Sequence, residues 1–318
     1  MYFFFVVSGF LITNIIANRP AGLFKPSVSI FYVQRIGRIW PLFYVWLLMG
    51  DLIFLVSSKD NPIHLYYFPG ETYGLWFWLS GPAFVFNWFL AFHPALAVGF
   101  PVVIAWSLSV EEQFYFFYPL LLKKLRSARK LIWFLTAFIL SALGCRLALV
   151  FYGVSNGYFW VSTEFDLIAM GGLLYLAFKK SDKFLSRNSK LSLILCLAGL
   201  AILLVFYLGF QGKTNYLGAF MPDLLGLGLF AFLLGGLHLD FFEAKSLKIL
   251  SLPGKYCYGG YLLHPTVLFF IKPYFTRMNF PAGFIFFVAL TTLISAISFH
   301  LFEMPVNRLI RKTFGASR

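Results

Sequence analysis

Apolar residues in this chain come in long continuous runs separated by short polar segments. The runs cover 2–17, 36–56, 74–92, 107–122, 131–152, 164–179, 191–210, 218–237, 258–272 and 282–302. Each is close to the ~20 residues that a helix needs to cross a bilayer. A membrane β-barrel would alternate apolar and polar residues over segments of about 10, and these runs do not alternate. The pattern predicts an all-α polytopic integral membrane protein.

Composition agrees. Of 318 residues, 60% are hydrophobic and 12% charged, against roughly 25% charged in a soluble domain. The net charge of +14 does not point to nucleic acid, because the basic residues gather in short loops between the runs. Segments 18–38, 123–130, 179–190, 238–257 and the tail after 302 hold 21 of the 26 Lys and Arg. That is the positive-inside pattern, and it assigns those segments to the cytoplasm. Loop 57–73 is then outside and loop 123–130 inside. Two runs lie between them, and two crossings would return the chain to the outside. Segment 74–122 therefore crosses an odd number of times, once in the simplest case. The run 74–92 is the one expected to re-enter or lie in the interface. It carries Gly81–Pro82 at its centre and Trp76, Trp78 and Trp88 along it. Gly-Pro breaks a helix and Trp favours the interface. Irregular backbone at membrane depth needs cover from protein or a watery cavity, so a pocket is expected beside it.

The count is about nine crossings, with the N-terminus outside and the C-terminus in the cytoplasm. Met1 opens directly on an apolar run, without a basic leader or cleavage site. The parity predicts a further helix upstream. The whole of 1–318 reads as one transmembrane domain, N-terminally incomplete and with no appended soluble domain.

The polar residues left inside the runs are the candidates for chemistry, because each is costly in lipid. Glu111 and Glu112 stand side by side in WSLSVEEQFYFFYPLLL (106–122). A carboxylate at the bilayer centre costs about 2.5–3.5 kcal/mol. Adjacent residues point about 100° apart on a helix, so one is expected to face an interior cavity and the other a neighbouring helix. Each either orients a catalytic group or acts as acid-base, or pairs with Arg35, Arg38 or Arg146. His264 precedes Pro265, which lets the turn open; it serves as a base or anchor, or satisfies an interhelical hydrogen bond. Arg35 and Arg38, three apart at the mouth of the 36–56 helix, share one face. Two guanidinium forks there suit phosphates or anionic headgroups. His300 is expected to pair with Glu303, and Glu303 and Arg308 to form a helix-terminal ion pair or a headgroup anchor. His64, His93 and His238 are expected to be solvated or interfacial. Glu164 or Asp166 would cap the helix they begin, and Asp223 would cap 224–237. Ser8–Gly9, Gly171–Gly172 and Gly235–Gly236 suit close helix packing. Cys145, Cys196 and Cys257 are expected to pack as small apolar residues. No metal-ligand spacing and no Gly-rich nucleotide loop occurs in the sequence.

Six stretches together resemble the membrane-bound acyltransferase family 3, the glycan O-acyltransferases. They are FFFVVSGFLIT (3–13), RIGRIWPLFY (35–44), WSLSVEEQFYFFYP (106–119), FDLIAMGGLL (165–174), YCYGGYLLHP (256–265) and FEMPVNRLIRK (302–312). The resemblance implies ten helices in the inner (cytoplasmic) membrane. It also implies transfer of an acyl group, often acetyl, from cytoplasmic acyl-CoA to a glycan hydroxyl on the outer side. On that footing Arg35 and Arg38 would bind the donor, and Glu111, Glu112 and His264 would line the catalytic cavity. Trp106, Ser107, Asp166 and Tyr258, all in the matched stretches, would contact substrate. The sequence departs from the family pattern twice. The family's first helix, which carries an Arg and a His proposed as catalytic, precedes the first of these stretches. Glu164 stands where the family often has Arg. The alternative is a degenerate relative that transports or binds lipid or glycan without chemistry.

Overall fold

A computed structural model describes residues 1–19, 22–69, 73–93, 99–153, 164–209, 216–239, 252–275 and 279–315. Among these residues the regular structure is helical throughout, with no strand. Five helical stretches are long and apolar enough to cross a membrane: Val28–Val56, Ala128–Phe151, Ser189–Phe206, Gly218–Gly236 and Phe280–Thr313. Large apolar side chains stay exposed along them, among them Leu55, Trp133, Leu204 and Ile285, as lipid-facing positions should.

The chain divides into two compact units. The first comprises Met1–Val28, Phe84–Phe92 and Trp106–Ala244. It holds α1 (Tyr2–Ala17), α5 (Phe86–Phe92), α7 (Ala105–Leu125), α8 (Ala128–Phe151), α9 (Phe165–Leu185), α10 (Ser189–Gly209) and α11 (Tyr216–Gly236). The expected glycine contacts are present here. A Cβ on Gly9 would lie 1.9 Å from the Ile168 carbonyl oxygen, and one on Gly171 2.1 Å from that of Val6. Only glycine lets the α1 and α9 backbones meet this closely. Gly235 does the same for α10 and α11, where a Cβ would lie 2.3 Å from the Ser192 carbonyl oxygen. Two hydroxyl pairs tie α1 to α7: Ser8 with Tyr115, and Thr13 with Tyr118 at 2.8 Å.

The second unit comprises Ser29–Ala83, His93–Ala105 and Lys245–Arg318. It holds α2 (Val28–Val56), α3 (Pro62–Tyr67), α4 (Leu75–Ser80), α6 (Phe100–Val103), α12 (Leu252–Lys255), α13 (Cys257–Phe275), α14 (Phe280–Ser298) and α15 (Met304–Thr313). A π-helical turn, Phe299–Glu303, joins α14 to α15. Gly37 lets α15 sit on α2, since a Cβ there would lie 3.1 Å from Asn307 Oδ1.

The Gly81–Pro82 break is as expected. α4 and α5 have six and seven residues, about 10 Å each, too short for a hydrocarbon core of about 30 Å. Other boundaries differ. α2 begins at Val28, so Arg35 and Arg38 lie two to three turns inside the helix and not at its mouth. The polar start VSIFYVQRIGR (28–38) hid those turns from a reading based on apolar runs. α11 begins at Tyr216 and takes Pro222 inside it, so Asp223 is not a cap.

Candidate active site

The Glu111–Glu112 pair sits in mid-α7 of the first unit. Glu111 is buried at 2% exposure and Glu112 is half-buried, so Glu111 is the one that turns inward. Trp106 is buried with its ring edge-to-face on Phe5 at 6.2 Å, and Ser107 is fully buried. Gln113 has a role that the sequence reading missed. Its Nε2 donates to the Phe84 carbonyl (2.6 Å) and to Asn87 Oδ1 (2.9 Å), and Trp88 Nε1 donates to its Oε1 at 3.3 Å. These bonds hold the chain where it resumes after Gly81–Pro82. Phe84 has φ 53° there, a left-handed conformation rare for a bulky residue. The available signal was an amide in an apolar run, next to a segment whose break leaves backbone carbonyls to satisfy.

The ion pair considered for the glutamates goes elsewhere. Arg146 Nη2 contacts Asp166 Oδ2 at 2.8 Å and Asp223 Oδ2 at 2.5 Å, and its Nε donates to the Ala219 carbonyl at 2.9 Å. Arg146, Asp166 and Asp223 are all buried, and Glu164 lies beside them at 1% exposure. Glu164 occupies the N-cap position of α9 but makes no capping bond. Asp166 Oδ1 accepts instead from the Leu167 N–H at 2.8 Å. Sequence spacing could not find this group, because it joins three helices across 77 residues of chain.

In the second unit the α2–α15 contact gathers three arginines. Arg35 and Arg38 both act electrostatically on Arg311, and Arg38 also acts on Glu303. Arg38 is exposed and Arg35 half-buried. Arg35 lies 5.8 Å over the Phe31 ring. Arg311 was visible in the sequence only as one of the tail's basic residues. Arg311 thus carries its charge within the field of two others of the same sign, and an anion there relieves that.

α13 of the same unit carries His264. The proline that follows removes an N–H that would bond the carbonyl four residues earlier, that of Tyr261. His264 Nδ1 takes that carbonyl at 2.7 Å. Since a carbonyl only accepts, Nδ1 carries the proton, and the neutral ring has its lone pair on Nε2. The helix does not open at Pro265 as expected; it runs on to Phe275. The histidine bond compensates the missing one. Tyr66 donates its hydroxyl to the Pro265 carbonyl at 3.1 Å, Tyr67 bonds Thr266, and Tyr261 donates to the Ile104 carbonyl at 3.0 Å. Burial pushes the Tyr66 and Tyr67 hydroxyls above the usual phenol range, which keeps them protonated as donors. Tyr258, six residues before His264, donates to the Ile39 carbonyl at 2.6 Å. That bond ties α13 to α2 beside Arg38.

Arg35, Arg38, Tyr258 and His264 thus belong to the second unit, and Glu111, Glu112, Trp106, Ser107 and Asp166 to the first. Other expectations change. His300 Nε2 pairs with the Tyr256 hydroxyl at 3.1 Å rather than with Glu303. Glu303 accepts from Ser298 Oγ at 3.1 Å, while Arg308 reaches Met304 Sδ. The π-turn rotates Glu303 away from both expected partners. His64 is buried against Phe54 and bonds Ser57. His238 is buried too, with Nδ1 on the Leu234 carbonyl at 2.8 Å. Aromatic cover and a helix-end carbonyl draw these two rings inward. Cys196 is buried, Cys145 half-buried and Cys257 exposed. Among the described residues no group of three His, Cys, Asp or Glu could hold a metal ion.

The sequence profile described as "Acyltransferase domain" matches residues 1–300. The chain is also similar to the protein named O-acetyltransferase OatA of Staphylococcus aureus, in strains NCTC 8325, COL and MRSA252 alike. Each is 28% identical over 334 aligned positions, covering 98% of this chain and 53% of the relative. The chain therefore spans about half the length of these curated relatives. No solved structure gives a significant match.

Proposed function

Since the chain belongs to the acyltransferase domain family, we propose that it is an O-acyltransferase. In this reading it moves an acetyl group from acetyl-CoA on the cytoplasmic side to a hydroxyl of a cell-envelope glycan. The similarity to proteins named O-acetyltransferase supports the acetyl group and the oxygen acceptor. The loop charges support a multi-pass inner-membrane protein of about nine crossings, with 74–92 re-entrant or interfacial and the C-terminus in the cytoplasm.

The observation that carries the donor side is the arginine group on α2 and α15. Arg35, Arg38 and Arg311 offer three planar forks to the phosphates of CoA. Glu303 sets a limit to that positive field at Arg38. His264 lies six residues along α13 from the Tyr258–Ile39 contact, about 9 Å deeper by helical rise. Its Nε2 is the base in this reading. It takes the proton of the attacking hydroxyl as the oxygen bonds to the thioester carbon, and the CoA thiolate leaves with the electron pair of the C–S bond. The tyrosine clamp on Pro265 and Thr266 fixes the ring's helix during that transfer.

The test uses the full-length protein reconstituted in proteoliposomes, with acetyl-CoA presented from one side and CoA release measured. Arg35→Ala with Arg38→Ala should raise KM for acetyl-CoA about 10–100-fold, from charge-assisted bonds of about 1.5–3 kcal/mol. His264→Gln should lower kcat about 10²–10⁴-fold with KM little changed. An active wild type whose KM and kcat ignore both changes would overturn this reading.

A further inference from the structure

The acyl-transfer reading leaves one polar cluster of the first unit without a task. Arg146, Asp166, Asp223 and Glu164 place one guanidinium among three carboxyl groups, all buried. Arg146 holds Asp166 and Asp223 through Nη2 and the Ala219 carbonyl through Nε. Two acceptor atoms remain. Glu164 Oε2 and Asp223 Oδ1 are buried and have no hydrogen-bond donor among the described residues, whereas Asp166 Oδ2, which likewise makes no hydrogen bond, lies against Arg146 Nη2 at 2.8 Å. Buried polar atoms without partners are rare because they are costly, and each calls for an explanation. A group that must meet a ligand is one such explanation.

The position of the cluster says from which side a ligand would arrive. Arg146 lies 18 residues past the start of α8 at Ala128, about 27 Å by helical rise. That start adjoins the basic loop 123–130. Asp166 opens α9, whose far end carries Lys179, Lys180 and Lys183. Asp223 is in the first third of α11. All three helices put the cluster at the end away from the basic loops, which is the outer end by the charge rule. This is the side from which an envelope glycan comes.

Both open atoms are carboxyl oxygens, and a ligand bearing hydroxyls suits them, because a hydroxyl donates to an ionised carboxyl and accepts from a protonated one. A hydroxyl donates to a carboxylate in a short, charge-assisted bond and carries no ionic desolvation penalty into the membrane-embedded unit. We infer that this cluster holds the acceptor, with two hydroxyls of a carbohydrate donating to Glu164 Oε2 and Asp223 Oδ1. Arg146 and Asp166 form the fixed frame that keeps those oxygens in place. The inference rests on the O-acyltransferase reading above. Glu164 and Asp223 are then positioning residues for the acceptor and take no part in the bond-breaking step.

Glu164→Leu removes the open acceptor while breaking no hydrogen bond seen in the structure. Full-length variants are expressed in a host deleted for the protein's own gene. Two quantities are then measured: alkali-labile acetate on the purified envelope polysaccharide, and CoA release by washed membranes with water as the only acceptor. Glu164→Leu should lower glycan acetate about tenfold or more and leave CoA release to water unchanged. Glu164→Gln, which keeps one acceptor oxygen, should fall between. Wild-type glycan acetate in the Leu variant overturns the inference. So does an equal loss of both readouts, which marks a merely structural glutamate. A wild type that neither releases CoA nor acetylates glycan overturns the parent reading, and this one with it.

Discussion

Gly9→Ala tests the α1–α9 contact that frames the first unit. The added methyl would lie 1.9 Å from the Ile168 carbonyl oxygen, where ordinary contact begins at 3.4 Å. The helices must therefore separate by about 1.5 Å. The obstacle is backbone and cannot rotate away, and Gly171 faces Val6 in the same seam. Overpacking of this kind costs about 1–3 kcal/mol, and a rigid obstacle places the expectation near the upper end. Gly144→Ala, in mid-α8, is the matched control, because its Cβ would meet nothing within 4 Å. Both substitutions gain the same helix propensity, about 1 kcal/mol, so their difference isolates the clash. At about 2–4 °C per kcal/mol, Gly9→Ala should melt roughly 5–10 °C below Gly144→Ala. The assay is thermal unfolding of the full-length protein in one detergent, followed by intrinsic Trp fluorescence. Equal melting temperatures for the two would refute the close-contact argument.

Two further expectations concern stability. Gln113→Leu removes the donor that Gln113 gives the Phe84 carbonyl and Asn87 Oδ1 and should cost about 1–3 kcal/mol; Gln113→Glu should be worse, since a carboxylate offers no donor to either. Faster limited proteolysis near Phe84 in both variants checks this, and a Glu variant as resistant as wild type counts against it. Arg146→Met leaves buried carboxylates uncompensated and should cost about 3–5 kcal/mol. Asp223→Asn added to it should recover part of the loss, a coupling that a double-mutant cycle of melting temperatures measures.

Several features follow from the sequence alone. Continuous apolar runs fixed the helical class, because only backbone bonded within its own segment survives in lipid. Gly81–Pro82 marked the break in 74–92, since proline removes a backbone donor wherever it sits. Ser8–Gly9 and Gly171–Gly172 indicated close packing because small residues have few other uses in such helices. Arg35, Arg38, Glu111 and His264 stood out as polar groups in costly places. These are local facts, and a residue carries them whatever its neighbours.

The partners of those groups are not local. Arg146 chose Asp166 and Asp223 over the glutamate pair because three helices converge on it. Arg311 joined Arg35 and Arg38 because Gly37 admits α15 and a π-turn sets its direction. Gln113 became the anchor of Phe84 only when α5 lay beside α7. His264 kept its helix whole by capping the carbonyl that Pro265 had left. The sequence therefore determined which groups have to be satisfied. The tertiary structure alone decided which atoms satisfy them, because hydrogen bonds and ion pairs act over a few ångströms of space that chain distance does not encode.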